Sequence, residues 1–175
     1  MSRAVRFAPL VLLLLIIAAL VWRLAIPADT NVSSKLAGQP VPAFALAAAL
    51  PGKPELRSSD LATGQPRLLN IFASWCVPCI AEVKVLQQLK ARGVTIDGIA
   101  VRDRPEDLAA FLRERGDPYE RIGGDPQSLV QIALGSSGVP ESFVIDGKGV
   151  IRYQHIGPIS EADIPRILAK LEEAK

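Results

Sequence analysis

Residues Leu68 to Cys79, Leu-Leu-Asn-Ile-Phe-Ala-Ser-Trp-Cys-Val-Pro-Cys, constrain the fold more than any other stretch of the chain. Leu68 to Ala73 is apolar except for Asn70, the pattern of a strand covered on both faces. Beyond the cysteines, Ile80, Val83, Leu86 and Leu89 recur at near-helical spacing, Val85 pairs with Leu89 at i,i+4, and Gly93 supplies a stop. Pro78 falls one or two residues inside the helix start, where its missing N–H costs nothing. The chain therefore runs strand, tight turn, helix. It presents Cys76 at the helix N-terminus and Cys79 one turn further in.

That placement has chemical consequences. Unpaired N–H groups and the positive end of the helix dipole stabilise a thiolate, so Cys76 is predicted to be the attacking sulfur. Cys79, better covered, is predicted to be the resolving thiol. Two cysteines separated by two residues close a small ring, and opening and closing it is dithiol–disulfide chemistry. The two electrons reside on the protein's own sulfurs, so no cofactor is required. The 175-residue chain has only these two cysteines, which leaves neither a disulfide scaffold nor a second pair for a four-thiolate metal site.

Phe7 to Trp22 is uncharged and almost wholly apolar, preceded by Arg3 and Arg6 and followed by Arg23. It reads as a signal anchor over residues 1–27, or a cleaved signal peptide, although no small-x-small cleavage site precedes Ala28. The flanking arginines leave the N-terminus in the cytoplasm and the rest of the chain outside, tethered by a polar linker over residues 28–35. Those three arginines are the only charges before residue 28. Of the 20 Lys and Arg, 17 remain against 18 Asp and Glu, a balance that gives no reason to expect a nucleic-acid partner.

A single domain is predicted over residues 36–175. Gly38 to Leu46 is Pro-punctuated and then alternates, a short edge strand, with Pro54 to Arg57 pairing back as a hairpin and Ser58–Leu61 as a helical turn. After the cysteine helix come a buried strand over Val94–Val101 and a helix from Pro105 to near Gly116. A short extended piece follows over Pro118–Ile122, and then an amphipathic helix over Gln127–Leu134. Phe143–Ile145 and Val150–His155 flank the turn Asp146-Gly147-Lys148-Gly149. Ser160 caps a last helix carrying Ile164, Ile167, Leu168 and Leu171 on one face. The order implies an α/β fold, a mixed central sheet with helices on both faces.

Trp-Cys-x-x-Cys at a strand-to-helix turn, with Val139-Pro140 about sixty residues later before a hairpin, resembles a thioredoxin fold. The likeness is closer to the membrane-anchored thioredoxin-like proteins of cytochrome c maturation, the CcmG/DsbE type. It is carried by Gly38, Pro40, Pro42 and Phe44, the Leu69–Cys79 block, Glu82 and Asp117-Pro118-Tyr119. It continues through Gly135-x-x-Gly138-Val139-Pro140-Glu141 and the strand pair from Phe143 to His155. The resemblance implies an N-terminal hairpin extension on the thioredoxin fold and a monomer in the bacterial inner membrane, catalytic domain facing the periplasm. It implies reduction of the Cys-x-x-Cys-His disulfide of apocytochrome c, the haem-attachment machinery as client-side partner, and re-reduction by a membrane thiol-disulfide transporter. Ser136-Ser137 and Ser128 depart from the pattern, Ser128 standing where a glycine is usual.

In that frame Trp75 shields the disulfide and lines the substrate surface. Pro140 follows a cis bond that faces the cysteines and leaves the Val139 backbone free to pair with an extended substrate. Glu82, one turn beyond Cys79, is a candidate to take the resolving thiol's proton if partly buried with raised proton affinity. Glu141 tunes the thiols or binds substrate. The blander readings make Glu82 a solvated helix residue, His155 a structural or exposed one, Asn70 a partner for backbone groups and Arg102-Asp103-Arg104 a solvated face. An inert disulfide is disfavoured because so small a loop stabilises little and leaves the outer sulfur exposed. Copper or zinc at Cys76, Cys79 and His155 would need more ligands than one histidine. The remaining alternatives are a general extracytoplasmic thiol-disulfide reductase and a metallochaperone on the same fold.

Overall fold

The computed structural model describes residues 12–18, 21–22 and 36–175. Residues 12–18 and 21–22 are helical, and no described helix is long and apolar enough to cross a membrane. The linker expected over residues 28–35 and much of the segment expected over 1–27 lie outside the described residues.

Five strands form the central sheet: β3 (Arg67–Phe72), β4 (Ile96–Val101), β5 (Ile122–Asp125), β6 (Glu141–Ile145) and β7 (Ile151–Ile156). Their spatial order is β5-β4-β3-β6-β7. β3, β4 and β5 are parallel, joined through helices α1 (Val77–Ala91) and α2 (Pro105–Arg115), and β6 and β7 run antiparallel. Every residue of β3, β4 and β6 is buried, as the apolar runs require.

Alternation sorts each strand between two cores. Leu68, Phe72, Ile96, Ala100 and Val144 face the core that receives α1, α2 and α4 (Ile164–Glu173). Leu69, Ile71, Ile99, Phe143 and Ile145 face the other. Among the described residues that second face is covered by the short α3 (Leu129–Ala133), the 3-10 turn Ser58–Leu61, the hairpin of β1 (Ala45–Leu46) with β2 (Leu56–Arg57), and Leu36, Val41 and Phe44 from the segment before it. Helices therefore lie on both faces, very unequally. The hairpin forms a separate two-stranded sheet, and the Pro-rich segment before it runs along the β6–β7 turn through Gly38 N–H to Ile151 C=O (2.7 Å) and Val41 N–H to Gly149 C=O (2.9 Å).

One element is displaced from its sequence expectation. The extended piece begins at Ile122, not Pro118, and takes in Gly123 and Gly124. Gly123 is required because a Cβ there would stand 2.8 Å from Leu46 Cβ and 3.1 Å from Leu56 Cβ. The hairpin thus occupies the space of the missing side chain. The last helix is also preceded by a 3-10 turn, Glu161–Asp163, which Ser160 caps.

Ser128 sits at φ 59°, ψ 24°, in the left-handed region, with a buried hydroxyl that has no hydrogen-bond partner among the described residues. An L side chain is unfavourable there and a glycine is not. Ser128→Gly is therefore expected to raise unfolding free energy by about 1 kcal/mol, seen as a higher urea midpoint at unchanged m-value. An equal or lower midpoint would contradict this account of the turn.

Candidate active site

Cys76 is the N-cap of α1, with extended backbone (φ −85°, ψ 108°), and its Sγ accepts from the Cys79 N–H at 3.2 Å. The two cysteines are joined in a disulfide with their Cα atoms 5.2 Å apart. Cys76 is 4% exposed and Cys79 1%, so the outer sulfur is almost as covered as the inner one. The cap geometry, which turns Sγ inward onto the Cys79 N–H, is the reason. It also places Cys76 where a thiolate would accept from that N–H at the positive end of α1.

The turn before Cys76 is held from β4. Trp75 is 58% exposed and its Nε1–H donates to the Arg102 carbonyl at 3.3 Å. Asp103 accepts from both the Ser74 N–H (2.6 Å) and the Ser74 hydroxyl (2.5 Å). Arg102 stands at φ 49°, a left-handed residue at the strand exit. Arg102-Asp103 is thus more than the solvated face expected: its backbone and one carboxylate hold the redox turn. An open pocket of about 440 Å³ lies beside Trp75, lined also by Ile80, Arg102 and Asp107.

Glu82 lies on the same buried face of α1 as Cys79 and is 1% exposed. Its Oε1 accepts from Asn70 Nδ2 at 3.0 Å and its Oε2 from the Ile159 N–H at 2.9 Å. Burial pushes its proton affinity up to about 7, against the Ile159 N–H and the Asn70 amide, which stabilise the carboxylate. Asn70 also donates to Ser142 Oγ (3.0 Å) and accepts from the Tyr119 hydroxyl (2.8 Å). A small pocket of about 320 Å³ reaches Glu82 between Ala81, Val85 and residues Pro158–Glu161, sharing no lining residue with the one beside Trp75.

Val139-Pro140 is a cis peptide bond at the N-terminal end of β6. Ile71 pairs with Glu141, so this end of β6 lies beside the end of β3 that leads into Cys76. Val139 is half-buried against both cores and makes no backbone hydrogen bond among the described residues. The Pro140 carbonyl is taken by the Gly157 N–H at 3.0 Å.

The structure brings Cys76, Cys79, Glu82 and Trp75 to one turn and one helix end, with Val139-Pro140 at the same end of the sheet. Glu141 does not reach the thiols. By alternation it shares a face with Phe143 and Ile145, away from α1. Its buried carboxylate accepts from the Ser137 N–H (3.0 Å), the Ser137 hydroxyl and Gln154 Nε2 (3.0 Å), which fastens the loop ahead of Pro140. His155 is half-buried, its Nε2 3.3 Å from the Pro158 carbonyl. Among the described residues no three His, Cys, Asp or Glu side chains are grouped so as to hold a metal ion.

From sequence alone Asn70 is a partner for backbone groups, and Tyr119, Ser142 and Asp103 carry no role. Strand parity was the available signal for two of them. Asn70 shares its face with Leu68 and Phe72, and Ser142 with Val144, so both polar side chains must meet something beneath α1.

The redoxin family model matches residues 36–171. The chain is 40% identical to the thiol:disulfide interchange protein DsbE of Escherichia coli K12, covering 91% of this chain and 89% of that one. It is also 40% identical to HelX, a thiol:disulfide interchange protein of Rhodobacter capsulatus, over 72% and 71% of the two chains. A thioredoxin family thiol:disulfide interchange protein from Chlorobium tepidum superposes with a TM-score of 0.61 at 29% identity, covering 77% of this chain and 94% of that one. With a Cys76–Cys79 pair at bonding distance at a helix N-terminus, the chain is a thiol:disulfide oxidoreductase and belongs to the thioredoxin-like CcmG/DsbE family.

Proposed function

We propose that the protein is tethered by its N-terminal apolar segment to the outer face of the bacterial inner membrane. There it reduces the disulfide of the haem-binding Cys-x-x-Cys-His motif of apocytochrome c. Arg3, Arg6 and the apolar run Phe7–Trp22 support the tether and its direction. The DsbE and HelX relatives support the reaction class, and the family likeness supports the client. The observation that carries the mechanism is the buried Glu82 carboxyl on the same face of α1 as Cys79.

In the reduced protein the Cys76 thiolate attacks one sulfur of the client disulfide. The client S–S bond breaks, its other sulfur leaves as a thiolate that takes a proton from solvent, and a mixed disulfide with Cys76 forms. The Cys79 thiol passes its proton to the Glu82 carboxylate and attacks Cys76 Sγ. The Cys76–Cys79 bond forms, and the client sulfur held by Cys76 leaves as a thiolate and is protonated. The client gains two electrons and two protons. The domain is left oxidised until a membrane thiol-disulfide transporter returns the electrons. Trp75 borders the docking surface, and the unpaired Val139 backbone pairs with the client chain in extended form. Glu141 contributes through the Ser137 loop that it anchors.

Two measurements check this. Cys79→Ser leaves the mixed disulfide unresolved, so mass spectrometry of adducts from the native host is expected to find apocytochrome c on Cys76. A broad set of unrelated secreted proteins would show a general reductase instead. Glu82→Gln is expected to slow resolution by about 100-fold at pH 7 while leaving the first attack by Cys76 unchanged.

The same variant has a stability signature. Glu82 binds its proton more tightly folded (about 7) than unfolded (4.5), so wild-type stability falls as pH rises through that window and stays lower above it. Glu82→Gln is expected to be more stable than wild type by about 3 kcal/mol at pH 8, with no gain at pH 4. Urea unfolding at the two pH values decides it, and an equal effect at both would overturn the assignment.

A further inference from the structure

Tyr119 is fixed more heavily than a loop residue needs to be. It lies between α2 and β5, with its ring stacked on Phe72 at 4.4 Å and 19°. Its N–H donates to Asp117 Oδ1 (3.0 Å) and its carbonyl accepts from Lys53 Nζ (2.6 Å). Gly98 makes room for the ring: a Cβ there would stand 2.9 Å from Tyr119 Cδ1 and 2.8 Å from Phe72 Cε1. These constraints deliver one polar atom, the phenol oxygen, to Asn70 Oδ1 at 2.8 Å inside the core.

An asparagine amide has two orientations of nearly equal shape, and its surroundings choose between them. Here the Tyr119 hydroxyl, 2% exposed as a residue, has no other acceptor among the described residues. Turning the amide over would bury its proton unpaired. The phenol therefore keeps Oδ1 toward itself and Nδ2 toward Glu82 and Ser142. Burial, with the nearby Glu82 and Asp117 charges, holds the phenol's proton affinity well above its usual value, so it remains a donor throughout.

We propose that Tyr119 is a positioning residue for Glu82, acting through Asn70: it holds the amide N–H against the carboxylate on the buried face of α1 that also carries Cys79. That Glu82 accepts the Cys79 proton rests on the function proposed above; that Tyr119 orients the group beside it does not. Among the described residues the groups bonded to Glu82 are Asn70 from β3 and the Ile159 N–H ahead of α4, with Cys79 one turn earlier on the same buried face of α1. Ser142 of β6 and Tyr119 stand behind Asn70, while Lys84 and Glu161 line the small pocket at its edge. Among the described residues no cation is ion-paired with the Glu82 carboxylate.

The test is the titration of the Glu82 carboxyl followed by ¹³C NMR in the oxidised protein, in wild type, Tyr119→Phe, Asn70→Leu and the double variant. Tyr119→Phe keeps the ring and its stacking but releases the amide, so the midpoint is expected to rise by about one pH unit. In the Asn70→Leu background the same substitution is expected to move it no further, since both changes remove one interaction. An unmoved midpoint in Tyr119→Phe, or an equal shift with Leu at position 70, would overturn the proposal. A lower melting temperature with no shift counts as the first of these. Resolution kinetics of Glu82→Gln separate the two ideas. An unchanged rate removes Glu82 from proton transfer, while the titration result still decides what Tyr119 does.

Discussion

A carboxyl group held almost wholly out of water, on the same helix face as a reactive sulfur, organises this molecule. An unpartnered carboxylate in a protein interior would simply stay protonated. Glu82 instead has one oxygen on β3 through Asn70 and the other on the Ile159 N–H just ahead of α4. Sheet, active-site helix and the approach to the last helix therefore meet on one side chain. Asn70 and Ser142, polar residues on the face of β3 and β6 that α1 covers, are bonded into that contact. A hydrocarbon side chain at position 82 would pack without any of them. The interior keeps a polar chain of Tyr119, Asn70, Ser142 and Glu82 on the buried face of α1 that also carries Cys79.

The strand–turn–helix around Cys76 was legible because its signals are local: a doubly covered apolar run, a proline at the helix start, a glycine stop. Parity did similar service for the sheet, and Asp146-Gly147-Lys148-Gly149 for the hairpin. What could not be read were facts that belong to distant residues. Gly123 and Gly124 resemble a break in any local view, yet they form a strand because Leu46 and Leu56 fill the space above Gly123. Asp103 looks like a solvated charge until the exit of β4 is seen to lie against Ser74. The candidate site was named more completely than it was wired. Glu82 stands out in the sequence by its place one turn beyond Cys79, whereas the partners of Asn70 and Tyr119 lie on distant elements that no local pattern brings together.

Glu141 shows how a short step along a strand separates two kinds of work. Ser142 and Glu141 are neighbours in sequence and sit on opposite faces of β6. One joins the chain that ends at Glu82. The other ties the Ser137 loop and Gln154 together beneath the cis proline. Two buried carboxylates thus flank the same end of the sheet with different duties. Glu82 adjoins the sulfur chemistry from within, and Glu141 sets the shape of the edge along which a client chain would lie.

The small pocket between Ala81, Val85 and residues Pro158–Glu161 bears on the order of events in a turnover. A bulky polypeptide sitting over Trp75 and Val139 would seal the sulfurs from bulk solvent. Any group trapped beneath it would be forced to recycle whatever proton it received. Glu82 lies at the edge of a second depression, lined by residues that the one beside Trp75 does not use. If Glu82 takes up the Cys79 proton as proposed, a client lying over Trp75 and Val139 would leave that second depression uncovered.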